Sequence, residues 1–218
     1  MKIRAVAWDI DGTLVDSEPV HLLALQKVCD ANGVDISDLP PEHFVGVNLY
    51  QVWRALAMRF DKRLTRAKWT AALNQHYLDL APMIQPTPGA YELVQTLSKM
   101  GIPQVAVSNS NRDIVNANLH VCDLGSHMDF SISFDDVVHG KPDPEPYLQA
   151  AARLGLSVSH VLAIEDSQTG LHSAKAAGLF ALGFGAHALL SSTAHAVVQK
   201  LDMVLSTVNF EVTHGIHH

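Results

Sequence analysis

Cysteine is scarce in this chain of 218 residues: only Cys29 and Cys122 occur. They stand far apart and form no C-x-x-C pair, so neither a disulfide framework nor a thiolate metal site organises the protein. Two buried thiols in a reducing compartment are expected instead. Positive charge is also short, with 15 Lys and Arg against 22 Asp and Glu and a net charge of −7. No basic stripe offsets it, which argues against nucleic acid as a partner. Long apolar runs are missing, and nothing approaches the roughly 18 uninterrupted residues of a membrane span. The N-terminal run carries Lys2 and Arg4 but is broken by Asp9 and Asp11, too short and too acidic for a signal peptide. A cytoplasmic protein without membrane contact is expected.

Several chemical signatures are absent too. The 13 histidines include no H-E-x-x-H, and His214, His217 and His218 form a loose tail, not a designed metal site. There is no G-x-S-x-G elbow and no P-loop. Gly183-x-Gly185-x-x-Ala188 imitates a dinucleotide fingerprint, but it comes late in the chain and no acidic partner follows at the usual spacing, so it reads as a loop. No internal repeat or low-complexity tract occurs.

What is present is apolar: 48% hydrophobic residues against 17% charged, the balance of a compact globular chain. Its length allows one large core, or one core with a small second domain. Ile3 to Trp8 is a short apolar run with β-branched residues, read as a buried central strand of a parallel sheet. Residues 16–83 change rhythm. Leu22, Leu25 and Cys29, then Val52, Leu56 and Phe60, then Trp69, Leu73, Tyr77 and Leu80 recur at helical spacing, with no strand signal between them. This helical insertion closes at Pro82 and the Pro86-Thr87-Pro88-Gly89 hinge.

Beyond Gly89, helix and strand alternate. Strands are expected at Gln104–Val107, Phe130–Phe134, Val161–Ile164 and Phe180–Gly183, with Met203–Leu205 closing the sheet. Ser110-x-x-Asp113 resembles a capping box, and Asp143-Pro144 a cap followed by proline at the first helical position. Tyr147, Leu148, Ala151 and Leu154 give that helix its apolar face. Repeated strand–helix units with short links imply right-handed parallel crossovers.

Four polar clusters follow predicted strands, and ligands of open α/β sheets bind beyond strand carboxyl ends. The first is Asp9-Ile10-Asp11-Gly12. An ionised carboxylate at Asp9 is already a nucleophile, and a divalent cation would relieve its repulsion from a phosphoryl group. Asp11, one step away, could give a proton to a departing alcohol and later take one from water. Taken alone, such a pair equally shapes a turn or caps a helix. Ser108-Asn109-Ser110 could cradle a phosphate at a helix start, or simply cap that helix. Lys141 could offset phosphoryl charge, or be a solvated surface lysine. Glu165-Asp166 could complete a hard-oxygen magnesium shell, or favour a helix dipole. Together they assemble a nucleophile, a proton donor, metal ligands and phosphate donors at one sheet edge.

Asp9-Ile10-Asp11-Gly12-Thr13-Leu14-Val15, Ser108-Asn109-Ser110, Lys141-Pro142-Asp143-Pro144 and Glu165-Asp166-Ser167-Gln168-Thr169-Gly170 occur in one order, and as a set they resemble the haloacid-dehalogenase superfamily, in its branch of small-molecule phosphatases and β-phosphoglucomutase. The resemblance implies an α/β, Rossmann-like parallel-sheet core of residues 1–15 and 84–218 with an inserted all-α cap, residues 16–83. It implies Asp9 as the nucleophile that becomes aspartyl-phosphate, and Asp11 as general acid/base with its backbone carbonyl on Mg²⁺. Ser108 and Lys141 would hold the phosphoryl group, assisted by the Asn109 amide. Asp166 would bind the metal directly and Glu165 through water. Dehalogenation itself is disfavoured, because members with that activity lack the aspartate supplied here by Asp11. Val45, Gly46, Val47 and Asn48 match the cap segment that selects substrate. Phe44 and Val45 stand where the mutase has basic residues, which favours hydrolysis over mutase chemistry. The expected activity is Mg²⁺-dependent hydrolysis of a small-molecule phosphate ester, a sugar phosphate, by a monomer or weak dimer, with a sugar-phosphate mutase and an inactive phosphate-binding module as the competing readings.

Overall fold

A computed structural model describes residues 2–40, 44, 49–185, 188 and 192–211. The chain divides into two compact units, Met1–Asp16 with Gln85–His218, and Ser17–Ile84.

The first unit is built on a six-stranded sheet of β1 (Ala5–Trp8), β4 (Gln104–Val107), β5 (Phe130–Ile132), β6 (Val161–Glu165), β7 (Phe180–Phe184) and β8 (Ala196–Val198). Their order is β5-β4-β1-β6-β7-β8 and every neighbouring pair is parallel. This is the α/β class read from the alternating rhythm. β1, β4 and β6 are buried along their whole length, as strands covered on both faces must be. Helices α4 (Ala90–Lys99), α5 (Arg112–Val121), α6 (Glu145–Arg153) and α7 (Gln168–Ala176) follow in turn. Alanines meet on one side of the sheet: Ala7, Ala163 and Ala181 share a core with Ala150, Ala151 and Ala174. Small residues on both sides let helix and sheet approach closely, so a larger side chain there would strain the packing.

The opposite face of the sheet buries a polar residue, Gln104, without penalty. Gln104 accepts from Trp8 Nε1 at 2.9 Å and donates to Val94 O and Ser98 Oγ, both at 2.9 Å. A buried amide with all these partners satisfied avoids the desolvation cost of a lone one.

The second unit contains α1 (Glu18–Ala31), α2 (Leu49–Leu56) and α3 (Arg66–Leu80). α1 packs on α3. Val20, Leu25, Val28 and Cys29 face inward from the first, and Trp69, Leu73 and Tyr77 from the third. Trp53 lies 5.8 Å from the Phe60 ring and 5.4 Å from Trp69, ring separations at which aromatic pairs attract. Thr65 caps α3 by accepting from Lys68 N.

Three local expectations are corrected. Met203–Leu205 is not the closing strand: it lies across a 3₁₀ turn and the short helix Val204–Thr207, and β8 at Ala196–Val198 closes the sheet instead. A three-residue apolar run suits either structure, and here the available strand edge decided. Residues 84–89 are more than a hinge, because β3 (Gln85–Pro86) pairs antiparallel with β2 (Val15–Asp16). The cap of α5 is Asn111, whose side chain accepts from Ile114 N at 3.0 Å, and not Ser110. Smaller shifts occur elsewhere: β5 stops at Ile132, Pro144 precedes α6 instead of starting it, and Leu148 is largely exposed. Among the described residues no helix is long and apolar enough to cross a membrane.

Candidate active site

Strand register brings the polar clusters together. Trp8 is level with Ile164 on one side and Ala106 on the other, so Asp9 emerges beside Glu165 and Val107. Asp9 N donates to Ile164 O at 3.0 Å, and Ser108 N to Ile132 O at 2.9 Å. The chain then turns tightly: Thr13, Leu14 and Val15 all donate to Ile10 O. Gly12 holds this turn at φ +83°, and a Cβ there would collide with the Asp166 carboxylate. Glycine is required on both counts.

Lys141 arrives from a long loop after β5, and that loop is itself built. Ser133 and Asp136 form a capping box, and Glu145 accepts from Val138 N and His139 N at 2.9 and 2.8 Å. Asn109 clamps the lysine's own backbone, donating to Lys141 O at 2.9 Å and accepting from Lys141 N at 2.8 Å. With its side chain only 4% exposed, Lys141 donates to Asp9 Oδ1 at 2.7 Å, Glu165 Oε1 at 2.6 Å and Val107 O at 2.8 Å. All three ammonium protons are thus engaged.

Glu165 is fully buried and receives a second donor, the Tyr147 hydroxyl, at 2.6 Å. Its other oxygen accepts from Ser167 Oγ at 3.3 Å. Asp11 makes a separate cluster. Its Oδ2 accepts from Ser108 Oγ at 3.2 Å and Ser110 Oγ at 3.0 Å, and its Oδ1 from Asn118 Nδ2 at 3.0 Å.

Charge is unbalanced here. Burial pushes the Asp9 carboxyl well above its ordinary range, and the nearby Glu165 adds to this while Lys141 opposes it. For Lys141, burial alone would lower the pKa, but Asp9 and Glu165 together outweigh it and hold the ammonium charged. Burial and then Glu165 drive the Tyr147 phenol up, so it stays a donor. Asp9, Glu165 and Asp166 offer oxygens that all lie within 4.8 Å of one another, and Asp9 Oδ2 is buried without a hydrogen-bond partner. Three carboxylates facing one lysine, with an orphaned oxygen among them, suit a hard divalent cation.

Of the residues singled out in the sequence, Asp9, Lys141, Glu165 and Asp166 converge, and Asp11 meets Ser108 beside them. The Asn109 side chain serves the Lys141 loop. Val45, Gly46, Val47 and Asn48 lie outside the described residues. Sequence reasoning missed Asn118 and Tyr147 as members of the site, and it placed Ser110 in the phosphate cradle without its bond to Asp11. Asn118 left a signal, being a polar residue on the apolar stripe of α5 with Ile114, Val115 and Leu119. Tyr147 left none, since it fits an apolar face perfectly well.

The chain is similar to several known proteins. A phosphorylated carbohydrates phosphatase of Thermotoga maritima is 28% identical over 187 residues, covering 81% of this chain and 82% of that protein. The β-phosphoglucomutase of Bacillus subtilis is 26% identical over 219 residues, covering 96% and 95%. The crystal structure of CbbY from Rhodobacter sphaeroides in complex with phosphate superposes with a TM-score of 0.78 at 25% identity, over 90% of this chain and 93% of that one. The family model of haloacid dehalogenase-like hydrolases matches residues 3–178, and to that family the chain belongs.

Proposed function

We propose that this hydrolase is a magnesium-dependent phosphatase of a small phosphorylated metabolite, a sugar phosphate, working through an aspartyl-phosphate on Asp9. The observation that carries the reading is the Asp9 carboxylate: one oxygen is held by Lys141, while the other is buried, unpartnered and grouped with Glu165 and Asp166. Asp9, Asp166 and the Asp11 backbone carbonyl would hold the Mg²⁺ ion, with Glu165 through water, and the ion would supply positive charge that lets one anion approach another. Lys141 supports the same end by neutralising Asp9 and Glu165.

In the first step an Asp9 oxygen attacks phosphorus, the ester P–O bond breaks, and Asp11 protonates the departing oxygen. In the second, water attacks the phosphoryl group of Asp9, its proton passes to Asp11, and inorganic phosphate leaves with Asp9 regenerated. Ser108 and the Asn109 amide grip the phosphoryl oxygens throughout. Selection of the substrate is assigned to the helical unit Ser17–Ile84, which contains the Val45–Asn48 segment. The phosphatase from Thermotoga maritima, named for phosphorylated carbohydrates, supports the substrate class. Two buried free thiols fit a reducing, cytoplasmic setting.

A mutase is the second reading, favoured by the match to β-phosphoglucomutase along nearly the whole chain. Incubation with β-glucose 1-phosphate and Mg²⁺ separates the two: net release of phosphate supports hydrolysis, and accumulation of glucose 6-phosphate supports the mutase. For the shared chemistry, Asp9→Asn should abolish turnover and phosphoryl labelling of the protein while the fold is kept. Near-normal activity of that variant on several esters would refute the mechanism.

A further inference from the structure

We infer that Asn118 is a positioning residue for Asp11, acting with Ser110 to fix the carboxyl group that exchanges the proton. The inference rests on the acid/base role given to Asp11 above. Asn118 is fully buried on α5, where an unpaired amide would be costly, and its Nδ2 lies 3.0 Å from Asp11 Oδ1. Ser110, freed from capping by Asn111, donates to Asp11 Oδ2 at 3.0 Å.

Ser108 also donates to Asp11, and its situation differs. Ser108 Oγ accepts from Ser110 N at 2.9 Å, and its single proton points to Asp11 Oδ2 at 3.2 Å. A hydroxyl has one proton to give. Once that proton goes to a phosphoryl oxygen, Ser108 no longer restrains Asp11. Ser110 and Asn118 then remain, one on each carboxyl oxygen. A general acid acts only within hydrogen-bond reach of its target, and a carboxyl free to rotate loses that placement. Asn118 acts on the reaction through its bond to Asp11, which makes it a positioning residue.

Leaving-group dependence tests this. Loss of a well-placed acid harms expulsion of an alkoxide but hardly affects a nitrophenolate, which leaves without protonation. With Mg²⁺ present, kcat/KM would be measured for an alkyl phosphate and for p-nitrophenyl phosphate, because this ratio reports the first transfer to Asp9. Asn118→Ala should lower the alkyl value about 10- to 100-fold and the aryl value less than about 3-fold. Ser110→Ala should show the same selectivity at smaller amplitude. Asn118→Leu, which keeps the branched side-chain shape without the donor, carries the test if the alanine variant does not fold. Equal losses on both esters, or no loss on either, overturn the positioning role provided Asp11→Asn itself is selective for the alkyl ester. If Asp11→Asn lacks that selectivity, the acid role of Asp11 falls and the inference falls with it.

Discussion

The Tyr147 hydroxyl and the Glu165 carboxylate meet at 2.6 Å inside the protein, on the same oxygen that Lys141 reaches. Glu165 is therefore less a free ligand than the pivot of a buried network joining the end of β6, the start of α6 and the loop between β5 and α6. Removing the hydroxyl with Tyr147→Phe leaves that oxygen with Lys141 alone. The variant should lose about 1–3 kcal/mol of stability, read from urea unfolding with an unchanged m-value.

Gly170 stands where nothing larger fits, since a Cβ there would collide with the Glu165 carboxylate. The glycine is helical, so alanine is blocked by space and not by backbone conformation. Gly170→Ala should destabilise by about 3 kcal/mol or more and sharply reduce activity, because the displaced group is a buried charge. A variant with a wild-type melting temperature and wild-type kcat would contradict this packing.

Lys141 is the sole cation shown bonded to Asp9 and Glu165 among the described residues. Lys141→Met should lose about 3–5 kcal/mol, since two buried carboxylates are left facing each other. Stability curves of the two proteins in metal-free buffer would measure the difference.

Magnesium should raise the melting temperature of the wild-type protein by relieving the same crowding. At a hundredfold excess over its dissociation constant the gain is about 2.7 kcal/mol for a single site. Asp166→Asn should shrink the Mg²⁺-dependent shift, whereas the exposed ion pair of Lys2 and Glu211 can be removed without changing it. A shift insensitive to residue 166 would place the cation elsewhere.

Burial pushes the thiols of Cys29 and Cys122 up to about 11. The neutral form is favoured, so at pH 8 only about one thiol in a thousand is ionised, and the thiolate is the reactive species. Native protein should react with a thiol-specific disulfide reagent far more slowly than unfolded protein, in which both residues titrate. Rapid reaction of either in the native state would show it to be accessible.

Much of the candidate site was legible because its strands are parallel. Asp9, Ser108 and Glu165 each stand at the end of an apolar run, and parallel strands deliver such ends to one edge whatever the details of packing. Other elements were not legible for reasons of context. Val204 and Leu205 suit a strand as well as a helix turn, and only the free edge of β7 settled that Ala196–Val198 pairs there. The β2–β3 ribbon has two residues on each side, too few for any periodicity to register.

The sequence by itself determined the alternating α/β plan, the run of helices between residues 18 and 80 and the acidic, hydroxyl and lysine groups of the candidate site, because these are written in local runs and in residues that end them. Tertiary structure alone decided that Tyr147 supports Glu165, that Ser110 serves Asp11 and not a helix cap, and that Asn118 reaches Asp11 across 107 positions of chain. The physical reason is range: apolar periodicity reports which face of an element is buried, while a buried polar group finds its partner only when distant elements have packed.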